Sequence, residues 1–150
     1  MERISFSQIP AGIIEKLMSL EKLIKESSLD YKLLEILRLR IAQINKCAYC
    51  IDMHYKELRE AGETELRIST ISVWKETPFF TEKEKVALEF TEVLTLINKN
   101  EISDQLFDSL TKFFDIQEIC FLALSISQLN TWTRLMRTFK STVGNYEVTS

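Results

Sequence analysis

Apolar residues recur with helical spacing along almost the whole chain, and this repeat limits the folds open to it. In the first such stretch, which follows Pro10, the recurring residues are Ile13, Leu17, Leu20 and Ile24. An interval of three or four residues is typical of one face of an α-helix, and no segment alternates as a half-buried strand does. The chain also has only three glycines and two prolines, few for the turns of a β-rich fold. The sequence therefore predicts an all-α bundle of about six or seven helices.

Capping residues and a glycine indicate where several helices begin and end. Side chains that can cap a helix N-terminus precede four of the apolar repeats. Ser27, Ser28 and Asp30 are the candidates before the second helix, and Thr81, Ser103 and Asp115 precede later ones. Another helix is expected from about Cys47 to Ala61, because Gly62 stands where a glycine commonly ends a helix. We expect one domain over residues 1–150, with a polar tail at about 141–150 that frays.

The same repeats predict which side chains face the core. We expect Met18 to widen the apolar face of the first helix, Ile97 to extend that of a later helix, and Phe107 to point inward. The run Ile119–Leu122 is apolar throughout, so Cys120 within it is expected to be a core residue.

The composition excludes several classes of function. A net charge of -3 gives no basic surface for nucleic acid or for anionic membranes. The segment Met1–Ser5 lacks the order of a signal peptide, and no apolar run nears the ~18–20 residues of a membrane span. We therefore expect a cytoplasmic protein that binds neither nucleic acid nor membranes. In that reducing compartment a close cysteine pair is more often catalytic or metal-binding than structural.

The pattern formed by Cys47, Cys50 and His54 points most directly to chemistry. On a helix, residues three, four and seven apart share one face. Cys47 lies near the predicted helix start, where free N–H groups and the helix dipole stabilise a thiolate, the reactive form of cysteine. A pair at this spacing can close reversibly into a disulfide, and His54 can take the proton of Cys50. The pattern predicts a redox-active thiol site.

Other interpretations of these residues stay open. Buried cysteines often only fill space. The three side chains could also bind zinc, with Cys120 as a fourth ligand if the fold brings it near. By spacing alone Glu35 is an ordinary surface charge, although antiparallel packing of its helix would let it orient the imidazole. Tyr49 alone is a half-buried aromatic whose hydroxyl could donate to a sulfur or to a peroxide oxygen.

The segment Leu39–His54 resembles the AhpD-like alkylhydroperoxidases of the carboxymuconolactone decarboxylase superfamily. Three later segments are similar to the same group, and they are Ala61–Thr64, Trp74–Thr81 and Asn130–Arg134. The resemblance covers roughly residues 30–140. A CxxCxxxH motif with these flanks is far more specific than a CxxC alone.

The resemblance implies an AhpD-like helical bundle and a role for each site residue. The family pattern has a glutamate twelve residues before the first cysteine, where Glu35 stands, and this residue would form a proton relay with His54 and Tyr49. Cys50 would attack the peroxide and become a sulfenic acid. Cys47 would resolve it as a disulfide, which a dithiol would then reduce. One departure is Lys46, where these relatives commonly have glycine; if the position needs a positive φ, lysine is slightly unfavourable there.

The function implied is that of a thiol-dependent peroxidase or disulfide reductase acting on hydrogen peroxide or organic hydroperoxides. Its reductant would be a lipoyl-type dithiol or a thioredoxin-like protein, and no cofactor is expected because sulfur carries the electrons. Relatives of this kind form homo-oligomers, so a dimer, trimer or hexamer is expected. The alternatives are a redox sensor or scaffold without turnover, a zinc-binding module, and a decarboxylase-type member of the superfamily. The intact CxxC argues against the last, since that branch does not depend on a redox pair.

Overall fold

The structure is a computed structural model that describes residues 1–149; Ser150, the last residue of the predicted tail, lies outside the described residues. Within residues 1–149 the chain forms seven α-helices and no β-strand, as the apolar repeats predicted. The helices are α1 (Ala11–Lys25), α2 (Tyr31–Ile44), α3 (Ala48–Glu60), α4 (Glu65–Thr70), α5 (Glu82–Thr95), α6 (Asp104–Thr111) and α7 (Ile116–Phe139). Two 3-10 helices cover Phe6–Gln8 and Ile71–Glu76.

The hydrogen bonds at the helix ends confirm the predicted starts and stops. Of the three candidates before α2, Asp30 is the cap, and it accepts a hydrogen bond from the backbone N–H three residues later, as do Thr81, Ser103 and Asp115. Thr81 and Asp115 belong to complete capping boxes, because Glu84 and Glu118 bond back to them. Gly62 has a φ of 82° just after α3, the left-handed conformation that glycine adopts without strain.

Helix α2 lies at the centre of the fold and determines where the site can form. It packs against α3, α5 and α7, and eight of its residues are buried. A short turn at Asn45 and Lys46 returns the chain, so that α3 packs back along α2. The C-terminal part of α7 joins them, since Met136 lies in one small apolar cluster with Ala42, Cys47 and Cys50. The cysteine motif is therefore enclosed by three helices.

Several burial predictions are wrong, and the reason is geometric. Met18, Ile97, Phe107 and Cys120 were all expected to face the core, and all are exposed. Helix α1 packs mainly against α7, which leaves part of its apolar face open. Ile97 lies beyond the end of α5. An apolar repeat shows that a helix has an apolar face, but not how much of that face a neighbour covers.

Residues 141–149 of the polar tail form no helix but are bonded to α3. The backbone N–H of Gly144 donates to Asp52 Oδ2 over 3.1 Å. Lys56 Nζ donates to the carbonyl oxygens of Gly144 and Tyr146, over 3.2 and 2.9 Å. The described part of the tail thus runs across α3 one turn after Cys50.

None of the helices within residues 1–149 is both long enough and apolar enough to cross a lipid bilayer.

Candidate active site

The turn between α2 and α3 places the cysteine pair, and Lys46 occupies its strained position. Lys46 has a φ of 54°, in the left-handed region that glycine prefers. Its N–H donates to the carbonyl of Gln43, and the N–H of Cys47 donates to that of Ala42 over 3.0 Å. These two bonds form a Schellman motif. The condition raised by the sequence is therefore met: this position has a positive φ, and a residue other than glycine costs about 1 kcal/mol there.

Cys47 is the N-cap residue of α3, and Cys50 lies in the first turn of that helix. Their Sγ atoms are 2.6 Å apart, both thiols are free, and both side chains are buried. At this separation the two sulfurs can bond to each other with little movement of the backbone once one of them has been oxidised. The pair can therefore alternate between a dithiol and a disulfide in place.

The two thiols differ in acidity. A hydrogen bond joins the two Sγ atoms, and when Cys47 is ionised its thiolate accepts from the S–H of Cys50; this interaction is the main reason that the pKa of Cys47 falls to about 7, against the opposing effect of burial. Backbone donors at the helix start and the charge of Arg137 lower it further. The same hydrogen bond, together with burial, raises the pKa of Cys50. In the resting pair the negative charge therefore lies on Cys47, as the helix-start argument predicted.

This assignment predicts how the pair titrates. We expect thiolate absorbance at 240 nm to rise through pH 7 in a Cys120→Ser background, where only the pair reports. Cys50→Ala removes the S–H donor from the Cys47 thiolate, so the inflection should move upward, towards the ~8.5 of an ordinary thiol. An inflection that stays near pH 7 in the alanine variant would show that the backbone and Arg137, and not Cys50, stabilise the thiolate.

Glu35 and His54 form a buried pair beside the cysteines. Glu35 is 2% exposed and His54 is 5% exposed, and His54 Nδ1 donates to Glu35 Oε2 over 2.6 Å. Burial alone would raise the pKa of Glu35, but attraction and hydrogen bonding to His54 and to Arg38 outweigh it and hold that pKa below its usual value. An ionised carboxylate on Nδ1 leaves Nε2 as the acceptor of the imidazole, the state in which it can take a proton.

An apolar cavity of about 500 Å³ adjoins this pair. Cys50, His54 and Tyr49 contribute to its wall from α3, and Glu35 contributes from α2. The remaining wall is mostly apolar and includes Phe6, Ile14, Met18, Leu129, Trp132 and Met136. Cys50, rather than Cys47, is the cysteine that faces the cavity. A ligand in this space would therefore meet one thiol and one imidazole.

Tyr49 is half-buried in this wall, as the sequence suggested. Burial raises the pKa of its phenol, and the charges of Cys50, Asp52 and Cys47 raise it further. The hydroxyl therefore stays protonated at neutral pH and can donate a hydrogen bond into the cavity.

Cys120 lies apart from the site. It is exposed near the start of α7, sixteen residues before Met136, which corresponds to roughly 24 Å along a helix. Across residues 1–149, no group of three or more His, Cys, Asp or Glu side chains is arranged to hold a metal ion. The fold thus does not supply the fourth ligand that the zinc interpretation needed.

Three contributors to the site could not be identified from the sequence pattern. Arg38 Nη1 donates to Glu35 Oε1 over 2.7 Å, and its Nη2 donates to Glu21 Oε2 over 2.9 Å. Trp132 Nε1 donates to Glu21 Oε1 over 2.9 Å. Because these side chains come from α2, α1 and α7, no local motif connects them.

The fold and the site together define the class of protein: it is an AhpD-like helical protein with a cysteine pair at the start of a helix. The sequence model of the carboxymuconolactone decarboxylase family (CMD) matches residues 14–93, about half of the chain. The chain belongs to the carboxymuconolactone decarboxylase family.

Individual relatives agree with this assignment. The uncharacterised protein YdfG of Bacillus subtilis (strain 168) is 37% identical over 134 residues, which are 89% of this chain and 91% of YdfG. A crystal structure from Agrobacterium tumefaciens has a TM-score of 0.92 and 32% identity, covering 97% of this chain and all of that one. That protein is of unknown function, with a suggested role as the antioxidant defence protein AhpD. A peroxidase-related protein of Silicibacter sp. TM1040, uncharacterised, shares the fold at 18% identity, with a TM-score of 0.81 over 91% of this chain and 72% of that one.

Proposed function

We propose that this protein is a thiol-dependent peroxidase or disulfide reductase that reduces hydrogen peroxide or organic hydroperoxides. One observation carries the proposal: Cys50 faces an apolar cavity beside the Glu35–His54 pair and lies 2.6 Å from the sulfur of Cys47. A nucleophile, a base with its orienting carboxylate, and a second thiol are the groups that a cycle of peroxide reduction and disulfide formation needs.

The reaction would take place in three steps. The thiolate of Cys50 attacks one peroxide oxygen, the O–O bond breaks, and the departing alkoxide takes a proton to leave as an alcohol, so that sulfur is oxidised to a sulfenic acid. Cys47 then attacks the sulfenic sulfur, water leaves, and a disulfide forms. An external dithiol finally reduces this disulfide and is itself oxidised to a disulfide. Per cycle, one hydroperoxide and one dithiol become one alcohol, one water and one disulfide.

The attack by Cys50 requires its proton to move, because the resting charge lies on Cys47. Two acceptors are available: the thiolate of Cys47 at 2.6 Å, and His54, whose Nδ1 is occupied by Glu35. A pair that shares one proton titrates as a unit. We therefore assign the attack to the sulfur that faces the cavity, and the resolving role to the more acidic one. Tyr49, as a neutral donor in the same wall, would stabilise the departing oxygen.

The cavity supports organic hydroperoxides as the substrates. Hydrogen peroxide has no apolar surface to bury, whereas a cavity of about 500 Å³ is within the ~300–1,000 Å³ of small-molecule sites. Burying each methylene of a substrate contributes about 0.8 kcal/mol.

The partners and the setting are part of the same proposal. The reductant would be a lipoyl-type dithiol or a thioredoxin-like protein, and the cycle would operate in the reducing cytoplasm. Exposed apolar side chains of α1 that do not line the cavity support a homo-oligomer, in which they would be covered; they are Ile13 and Leu23.

The test is peroxide consumption by the purified, reduced protein supplied with dihydrolipoamide. We expect catalytic turnover with both hydrogen peroxide and cumene hydroperoxide, with the larger kcat/KM for the second. If oxidation stops after one equivalent and leaves a Cys47–Cys50 disulfide that dihydrolipoamide does not reduce, the redox-sensor alternative replaces the proposal. If neither turnover nor a disulfide is found, thiol redox chemistry is not the function.

A further inference from the structure

A chain of hydrogen bonds extends from the Glu35–His54 pair to the opposite wall of the cavity. Trp132 of α7 donates to Glu21 of α1 over 2.9 Å, and Arg38 of α2 donates to the other oxygen of Glu21 over the same distance. Arg38 also donates to Glu35 over 2.7 Å, and Glu35 accepts from His54 over 2.6 Å. Five side chains from four helices thus form one continuous connection.

Arg38 is the junction of this chain. Its side chain is 11% exposed, and its two terminal nitrogens bind two different carboxylates. A planar guanidinium can bridge two acceptors in fixed directions, whereas the single ammonium of lysine cannot hold both in this way. Burial alone would lower the pKa of Arg38, but the charges of Glu35 and Glu21 raise it. The guanidinium is therefore a permanent charge in a fixed place.

The effect of Arg38 on Glu35 follows from the two oxygens of the carboxylate. Arg38 occupies Oε1, which leaves Oε2 as the acceptor for His54. Without a cation on Oε1, the carboxylate could rotate, and burial would favour its protonated form. A protonated Glu35 cannot serve as the ionised acceptor on Nδ1, so Nε2 of His54 would no longer be kept free to take a proton.

We propose that Arg38 is a positioning residue of the thiol relay, holding the carboxylate of Glu35 toward His54, while Glu21 and Trp132 hold Arg38 in place. This inference rests on the proposed function, because it assumes that the Glu35–His54 pair serves Cys50. It assigns a role to a side chain that touches neither the cysteines nor the imidazole. Arg38, Glu21 and Trp132 all line the cavity as well, so the wall that would contact the substrate includes the residue that orients the carboxylate and the two side chains that hold it.

The pH dependence of Cys50 reactivity reflects the protonation of Glu35, which every neighbouring titratable or charged group influences. From α3 the imidazole of His54 contacts it, and Arg38 contacts it from its own helix. Glu21 of α1 acts through Arg38. Further away, the phenols of Tyr31 and Tyr146 both bond to the carboxylate of Glu57; burial and these bonds raise the pKa of each phenol, so both stay neutral. Of all these groups, Arg38 is the cation bonded directly to Glu35.

The experiment follows the alkylation rate of Cys50 by iodoacetamide against pH, in a Cys47→Ser, Cys120→Ser background where one thiol reports. Arg38→Met should lower the rate at pH 7 about tenfold and move the acid limb of the profile upward by about one pH unit or more. Arg38→Lys should restore part of the rate and part of the shift, because lysine keeps the charge without the bridge. If Arg38→Met does not fold, Arg38→Lys decides the question: a limb identical to that of the background protein overturns the proposal.

Arg40→Met is the matched control. Arg40 lies on the same helix, its side chain is 18% exposed, and it donates to Glu92 over 2.9 Å, away from the site. We expect this variant to lose stability and keep the acid limb. A limb that moves as far as in Arg38→Met would mean that any lost ion pair has this effect, and the positioning role would be wrong. The alkylation assay needs no peroxide, so the expected shift in a protein without peroxide turnover would refute the proposed function and leave the role of Arg38 standing.

Discussion

Replacing Cys50 by serine is expected to abolish peroxide turnover, lowering kcat/KM by ~10³-fold or more, because a hydroxyl cannot donate the electron pair that breaks the O–O bond. Serine fits the space of the buried thiol, and its hydroxyl can still donate to Cys47 as the Cys50 thiol does. The loss should therefore reflect chemistry and not unfolding. The measurement is consumption of cumene hydroperoxide with dihydrolipoamide as reductant, with circular dichroism to show that the fold is kept.

Two further cysteine variants complete this experiment. Cys47→Ser should allow one oxidation without an internal disulfide, and dimedone should trap the sulfenic acid on Cys50, which peptide mass spectrometry can locate. Cys120→Ser is the control, since this exposed thiol lies far from the cavity, and it should retain wild-type turnover. Turnover that persists in Cys50→Ser and is lost in Cys47→Ser would exchange the two roles, in agreement with the lower pKa of Cys47.

The second large effect is expected from Glu35→Gln. The amide has nearly the same shape but no charge. Its oxygen can accept from only one of the two donors, Arg38 or His54, and its NH2 group then faces the N–H of the other. The imidazole then loses its anionic partner, and the relay loses the base that removes the Cys50 proton. We expect kcat/KM to fall by ~10²-fold, at the lower end of what general acid–base catalysis contributes. Stopped-flow oxidation of the reduced protein measures this step directly.

Glu92→Gln tests whether that loss is specific. Glu92 also accepts from an arginine and a tryptophan, Arg40 and Trp74, over 2.9 and 2.8 Å, and its side chain is largely buried. Its replacement should lower the thermal midpoint and leave the oxidation rate of the folded protein unchanged. Equal rate losses in the two glutamine variants would contradict a relay role for Glu35.

The helices could be predicted from the sequence because their signals are local. A capping box such as Thr81–Glu84 lies within four residues, and an apolar repeat needs only one helix to be visible. Burial is not local in this sense. Cys120 is exposed although Ile119 beside it is buried, because the position of α7 against its neighbours decides which side of an apolar run is covered. The apolar run alone could not distinguish these two residues.

The candidate site likewise has one part that local sequence signals predict and another that depends on tertiary packing. The cysteine pair and His54 lie within eight residues on one helix face, so their spacing in the sequence was sufficient to predict that they belong to one site. Glu35 is nineteen residues from His54, and its position was suggested by a family resemblance and not by spacing. The hydrogen bonds around Arg38 were not suggested at all: Glu21 is 17 residues from Arg38 and 111 residues from Trp132. Contacts at such separations are set by tertiary packing, which a single sequence does not reveal.

The limited apolar packing of α1 has a consequence for local unfolding of the protein. Within α1, all fifteen residues of which are described, Ile24 is the one buried side chain, and much of the remaining attachment is polar, through Glu21 and through a bond from Gln128 to the backbone of Leu17. A segment with so little buried apolar surface unfolds locally at a lower free energy than the whole domain does. Amide hydrogens of α1 should therefore exchange with solvent well before those of α2. Because Ile14 and Met18 form part of the cavity wall, local unfolding of this one helix would open one side of the cavity that contains Cys50.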